Sequence, residues 1–382
     1  MACRELWISL LIIGVLIVMI CIIYAICRFY KQQSQDTGSD ANGPVLILQN
    51  WNPAAGFFYA MYNVLNALWS VEKSKNFKLI VLYNSGLYKE DRQQFIKENP
   101  YYDAENWFNY YFEPINQTNK PQQFWQKFIE KHPMMENTTE KDMEKISDSH
   151  KVQKFDRTTL NSVNPGVDRE IEYNRLWNKH IKIRPHIADM VEQFAKKHNF
   201  QNKFIIGLHA RLTDKFPSKS GNEDGPRRVG KKWIKDLVWK KVKSSGKDIK
   251  DILVYVASDE HPFINYMKQS GLPVVAFDNA VRADIDSSDM DMDTSDCEQG
   301  LMHSEVCKKY NAMIDASIHR GMPDISNYKK GLDALIEVLL LAKSNIFLQS
   351  KGNLSNFGRY LLLSKNAEIV DMVSLFESEQ ST

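Results

Sequence analysis

Cysteine is scarce in this chain, and what there is sits badly for a disulfide framework. Of 5 cysteines in 382 residues, Cys3, Cys21 and Cys27 all lie within the first 27 positions. Cys297 and Cys307 remain, without the spacing of a metal-binding module. They would close a short loop in an oxidising lumen or stand as free thiols. An excess of one charge is also missing. The 49 Lys and Arg face 47 Asp and Glu, leaving +2. No net field selects a polyanion, so no nucleic-acid partner is expected. Glycine-rich phosphate cradles are absent too, since no GxGxxG or GxxxxGK[ST] follows any candidate strand. A phosphate-bearing ligand would have to be held by side chains and helix N-termini. No short internal repeat is found, which excludes a solenoid.

What the chain does have begins at its N-terminus. Residues 6–27, LWISLLIIGVLIVMICIIYAIC, form an apolar run of 22 residues. At about 1.5 Å per residue it spans a hydrocarbon core of roughly 30 Å. A cleaved signal peptide carries a shorter apolar core and a small-residue cleavage site. The run predicts one transmembrane anchor. Arg4 lies before it and Arg28 and Lys31 after it, so charge does not fix the orientation. Asn116, Asn137 and Asn353 each head an Asn-X-Ser/Thr acceptor triplet, which points the bulk of the chain to a lumen. The expectation is a type II single-pass protein, resident in the Golgi if the host is eukaryotic. Residues 28–43 are polar and read as a flexible stem.

From residue 44 onwards the pattern alternates. Residues 45–49 and 79–83 read as strands, with a helix over 57–73 between them. Strand, helix, strand within about forty residues is a βαβ unit, and hence a parallel sheet. The second half repeats the pattern, with strands at 204–208, 252–257, 274–277 and 346–349 and helices at 231–242 and 331–343. The fold class is α/β. The expected division is a 44–200 N-terminal α/β domain and a 201–382 C-terminal one. In such sheets ligands bind beyond the carboxyl ends of the strands.

The chemistry-bearing residues cluster at those ends. FIIGLHARLTDK (204–215) runs from a strand into His209, Arg211, Asp214 and Lys215. A guanidinium presents a rigid fork of donors suited to phosphate oxygens. The alternative is a salt bridge of Asp214 with Arg211 or Lys215. VYVASDEHP (254–262) ends another strand on Ser258, Asp259 and Glu260, where Ser258 or Asp259 suits a helix cap. Arg282 lies in a loop. Asp333 and Glu337 share one face of an apolar helix, where they suit the helix dipole or a ligand's donors. Asn353 and Ser355 sit where a further helix starts, a place that can hold phosphate. Residues 284–296 contain D-x-D triplets of the kind that hold Mn²⁺ or Mg²⁺ in some sugar transferases; a solvated acidic loop accounts for them as well.

Taken together, these stretches resemble the nodulation-type and core α-1,6-fucosyltransferases, with their α-1,2 and protein-O-fucosyl relatives. GLHARLTDK is similar to that superfamily's donor motif. VYVASDE, FDNAVRA, GLDALIEVLLLAKSNIFLQ and GNLSNFG follow in the family's order, and GFFYAMYNVLNAL with NWFNYYFEP look like its first domain. The resemblance implies a GT-B-like pair of facing Rossmann-like domains behind the anchor. The first would lie on the acceptor side and the second would bind GDP-fucose. It further implies transfer with inversion to a glycan or glycoprotein acceptor, without metal or other cofactor. Arg211 would hold the donor β-phosphate and steady the leaving GDP, and His209 would contact the nucleotide. Asp333 or Glu337 would read guanine or ribose, with Asp259 and Arg282 in the same substrate-binding set. Asn353 and Ser355 would bind the pyrophosphate, and Lys215 would assist at the acceptor. Two positions depart from the family. Leu212 stands where a second arginine is usual, and Lys219 where the glutamate base is expected. Glu223 and Asp224 are the nearest acids, and Glu223 is the candidate base. The competing readings are an inactive nucleotide-sugar or glycan binder, a D-x-D metal-dependent transferase, and a tethered interaction protein.

Overall fold

A computed structural model describes residues 45–49, 56–73, 78–83, 88–89, 106–115, 169–212, 229–284 and 325–380. The expected anchor and stem, Asn116, Asn137, Lys215, Glu223, Cys297, Cys307 and the acidic stretch 285–296 lie outside the described residues. Among the described residues no helix is long and apolar enough to cross a membrane.

The first βαβ unit forms as the alternation predicts. Strand β1 (Val45–Gln49) pairs in parallel with β2 (Lys78–Leu82), and helix α1 (Phe57–Lys73) connects them. Helix α1 buries more than the expected stripe. Besides Phe58, Met61, Leu65 and Leu68, it hides Asn63, Asn66 and Ser70. The cause is cover on two sides, from its own sheet and from helices of the rest of the chain. A short helix α2 (Phe108–Tyr111) follows, then α3 (Arg169–His180) and α4 (Pro185–Lys197).

The second sheet is all parallel, with strand order β5-β4-β3-β6-β7. Its strands are β3 (Phe204–Ala210), β4 (Ile252–Ser258), β5 (Val274–Val275), β6 (Ile346–Gln349) and β7 (Glu368–Asp371). Helices α5 (Lys231–Ser244), α6 (His261–Lys268), α7 (Asn327–Leu341), α8 (Asn353–Leu362) and α9 (Met372–Gln380) complete the order. From β3 the chain winds outward through β4 and β5, then returns to the other side of β3 with β6 and β7. The order therefore reverses between β3 and β6, the place where an α/β sheet opens a crevice for a ligand.

Side-chain alternation divides β3 between two cores. Ile206, Leu208, Ala210 and Leu212 enter one core with Ile234, Leu237 and Phe263. Ile205 enters the other, with Tyr255, Phe347, Leu335 and Ile336. Gly207 lies on that second side, where an added Cβ would come within 2.1 Å of Ser344 Oγ. Only glycine lets the end of α7 lie this close to the central strand. Helix α4, although it precedes residue 200, also covers this face. Phe194 meets Tyr255 edge-on at 5.9 Å.

Candidate functional site

Strand β3 runs two residues further than its apolar pattern suggests. His209 and Ala210 stay in the ladder because β4 continues beside them, to Ala257 and Ser258. The extension carries His209 to the carboxyl edge of the sheet, on the side facing α7. Arg211 follows on the same side by the period-2 rule, and Leu212 turns into the opposite core. The same rule parts two acids at the end of β4. Asp259 faces the His209 side. Glu260 goes the other way, is 0% exposed and pairs with Lys231 at 3.2 Å.

His209 is 5% exposed. Its Nδ1 meets the hydroxyl of Ser355 and, at 3.0 Å, that of Ser350. Burial first, and then the nearby Arg211 guanidinium, push its pKa down to about 3. The ring is therefore neutral at any physiological pH. Ser355 is itself 0% exposed, so its hydroxyl serves His209. That differs from the direct pyrophosphate contact the motif implied.

Arg211 reaches across the crevice. Its Nη1 lies 3.7 Å, and its Cδ 3.9 Å, from where a Cβ on Gly352 would sit. Gly352 is the N-cap of α8, at φ 152° and ψ 163°. That backbone region is essentially closed to other residues, which is why glycine stands there. The guanidinium thus lies over the start of a ten-residue helix whose first N–H groups, from Asn353 onward, lack intrahelical partners. Positive charge and helix dipole converge on one point. The opposite wall belongs to the first half of the chain. Tyr88 Oη accepts from the Phe57 N–H at 2.9 Å. Burial raises the Tyr88 pKa to about 12, and the Arg211 charge pulls against that shift. Tyr62 Oη donates to the Asn353 carbonyl at 3.2 Å.

A second group lies deeper, under α7. Arg282 donates to the Glu337 carboxylate at 2.7 Å and to the carbonyls of Phe277 and Ala280 at 2.9 and 3.1 Å. Asp333 accepts from the Val281 N–H at 2.9 Å and from Lys329. Burial raises both acids, Glu337 to about 7. Asp259 adds a repulsive charge to Glu337. It does not cap α6, as expected of Ser258 or Asp259. The N-cap of that helix is Glu260, without a side-chain hydrogen bond, and Asp259 instead accepts from the Leu212 N–H at 2.8 Å. It thereby fixes the backbone on which Arg211 is carried. Arg282 is likewise a brace, tying its loop to α7.

No protein-family model matches the chain, and no curated protein does. Solved structures do. One is a NodZ alpha-1,6-fucosyltransferase co-crystallised with GDP, at 15% identity over 86% of this chain and 94% of that one, with TM-score 0.46. Another is fucosyltransferase NodZ from Bradyrhizobium, at 15% identity over 84% and 92%, with TM-score 0.42. POFUT1 in complex with GDP is similar at 12% identity over 87% and 99%, with TM-score 0.38.

The structure thus brings His209, Arg211, Asp259, Asn353 and Ser355 to one edge, with Arg282, Asp333 and Glu337 behind it. The sequence gives no sign of Tyr88, which reaches the crevice only through the tertiary fold. Ser350 and Gly352 were readable only as parts of a loop. Tyr255, buried on the same sheet face, lies within range of the Glu337, Arg282 and Asp333 charges. Nothing in the strand pattern marked it as polar in role. Among the described residues no three His, Cys, Asp or Glu side chains group as metal ligands.

Proposed function

We propose that this chain is a membrane-anchored glycosyltransferase that moves fucose from GDP-fucose to a glycan or glycoconjugate hydroxyl, with inversion and without a metal. One observation carries the reading. Arg211 lies over the N-terminus of α8, beside neutral His209, where the strand order reverses. A departing diphosphate gains negative charge. A fixed guanidinium and free helix N–H groups offer the stabilisation that a metal supplies elsewhere. Asp333 or Glu337 would read the base or ribose. Lys215 would act at the acceptor and Glu223 as general base. The anchor and the Asn-X-Ser/Thr triplets would put the site in a lumen, that of the Golgi if the host is eukaryotic.

Calorimetry with GDP tests the site. Arg211→Ala should lose GDP binding and transfer while circular dichroism stays unchanged, and unchanged affinity would overturn the assignment. Screening the purified chain against GDP-fucose, GDP-mannose and UDP-sugars tests the donor. Turnover should survive EDTA. Loss restored by Mn²⁺ would favour the D-x-D reading instead.

One observation favours a second reading, a GDP-sugar binder without transfer activity. Leu212, at the position of the family's second arginine, is buried in the core facing α5 and α6. The phosphate clamp then has one arm, and Lys219 stands at the place of the base. GDP binding without transfer or slow donor hydrolysis would establish that reading.

A further inference from the structure

We propose that Ser355 and Ser350 set the tautomer of His209, keeping its proton on Nε2, so that the ring offers a neutral N–H donor to an acceptor atom of a nucleoside diphosphate. The identity of the ligand rests on the nucleotide-site reading; the state of the ring does not.

Hydrogen accounting leads to this state. Two hydroxyls converge on Nδ1, from Ser355 and, at 3.0 Å, from Ser350. The hydroxyls are 3.4 Å from each other. Ser355 is 0% exposed, so water cannot take its proton. Within the described residues that proton has two acceptors, His209 Nδ1 and Ser350 Oγ. If Nδ1 carried a hydrogen it would donate to one of the hydroxyls. The Ser355 proton would then be left with the long 3.4 Å contact alone, and a poorly placed buried donor is costly. If Nδ1 carries a lone pair, it accepts the Ser355 O–H directly. The half-buried Ser350 hydroxyl can turn to Ser355 or to solvent. Nδ1 and both hydroxyls then each have a partner.

A neutral imidazole has one N–H, so this arrangement places it on Nε2. Nε2 makes no hydrogen bond to any described residue. It is the ring's remaining polar atom, at the edge of the sheet where Arg211 lies. Such a donor suits a phosphate oxygen or a base carbonyl and rejects an amino group. Because the ring is neutral, the donor persists across the physiological pH range. Ser355 is then a positioning residue, acting on the ligand through His209.

The test uses the full-length chain labelled with ¹⁵N-histidine. Long-range ¹H–¹⁵N correlation reports the tautomer, and the His209→Gln spectrum assigns the signal. The wild-type ring should show the neutral Nε2–H pattern. Ser355→Ala should shift it toward Nδ1–H and weaken GDP binding roughly tenfold. Ser355→Thr, which restores a hydroxyl, should return both. Ser355→Cys, close in volume and a weak donor, gives the same comparison if the alanine variant does not fold. An Nδ1–H pattern in the wild type, or a folded Ser350→Ala/Ser355→Ala double variant that keeps the wild-type tautomer, overturns the proposal. A wild-type chain that binds no GDP defeats the nucleotide reading, while the tautomer spectrum still decides this one.

Discussion

Two buried residues at the crevice respond to pH in opposite senses. His209 has a folded pKa of about 3 against an ordinary 6.5, from burial and the Arg211 charge. Between these values the unfolded chain takes up a proton that the folded chain refuses. Stability is therefore fully present above 6.5 and falls as the pH drops toward 3. Glu337 is raised from 4.5 to about 7, by burial working against Arg282. There the folded chain keeps a proton that the unfolded chain releases. The contribution is present below 4.5 and is lost as the pH rises through about 7. The windows overlap between 4.5 and 6.5, and the two slopes offset each other there. Each separate slope approaches ~1.4 kcal/mol per pH unit. Urea unfolding across that range should show stability falling with pH in His209→Gln and rising with pH in Glu337→Gln. Above about pH 7, where Glu337 ionises, Glu337→Gln should in addition lower the midpoint, since it removes the carboxylate paired with Arg282. Parallel pH profiles in the two variants would contradict the assignment.

At the scale of elements, most of the parallel strands are readable, and the ends of some are not. The runs 45–49 and 346–349 match β1 and β6 residue for residue. Continuous apolar runs bounded by polar residues mark strands buried on both faces. The apolar pattern stops at Leu208, although β3 continues to Ala210, because His209 breaks the apolar run while staying in the ladder. The short β7 was missed, since EIVD at Glu368–Asp371 carries only two apolar residues. Helix α8 was seen only as a possible start, and its setting was invisible. Its aromatic residue Phe357 packs against Phe58 and Trp177, both at 5.0 Å, from α1 and α3. Asn174 donates to the Tyr360 carbonyl at 2.7 Å. Contacts between residues so far apart in the chain, 186 positions for Asn174 and Tyr360, leave no local trace in a sequence. They imply that the first half of the chain aims the N-terminus of α8 at Arg211. Phe357→Ala should cost about 3–5 kcal/mol in denaturant unfolding, as a buried aromatic does. Tyr62→Phe, which removes the bond to Asn353, should cost about 1 kcal/mol. It should also weaken GDP binding severalfold while preserving the fold. Unchanged GDP affinity in Tyr62→Phe would show that α8 is aimed without help from the first half.

On the scale of the whole molecule, the alternation of strands and helices predicts two units joined near residue 200. The packing runs across that point. One apolar core takes in Leu48, Phe57 and Trp107 from the first half and Tyr255, Leu335 and Phe347 from the second. Tyr111 Oη donates to the Tyr328 carbonyl at 3.0 Å, with the two rings stacked at 5.4 Å. Helix α3 packs against α1 and α8, and α4 against α7, while Phe112 meets Trp177 edge-on at 5.8 Å. Opening either sheet would expose aromatic surface that the other now covers. At roughly 25 cal/mol per Å² of apolar surface, a few such rings outweigh the free energy that usually separates independent domains. The two sheets should therefore unfold together. Native-state hydrogen exchange should give the same opening free energy for amides of Ile80–Leu82 in β2 and of Ile206–Leu208 in β3. Calorimetry should give one transition with equal calorimetric and van't Hoff enthalpies. An earlier, separate opening of β2 would mean that the first half docks on the second as an independent body, and that the crevice beside Arg211 is a hinged cleft instead of a fixed one.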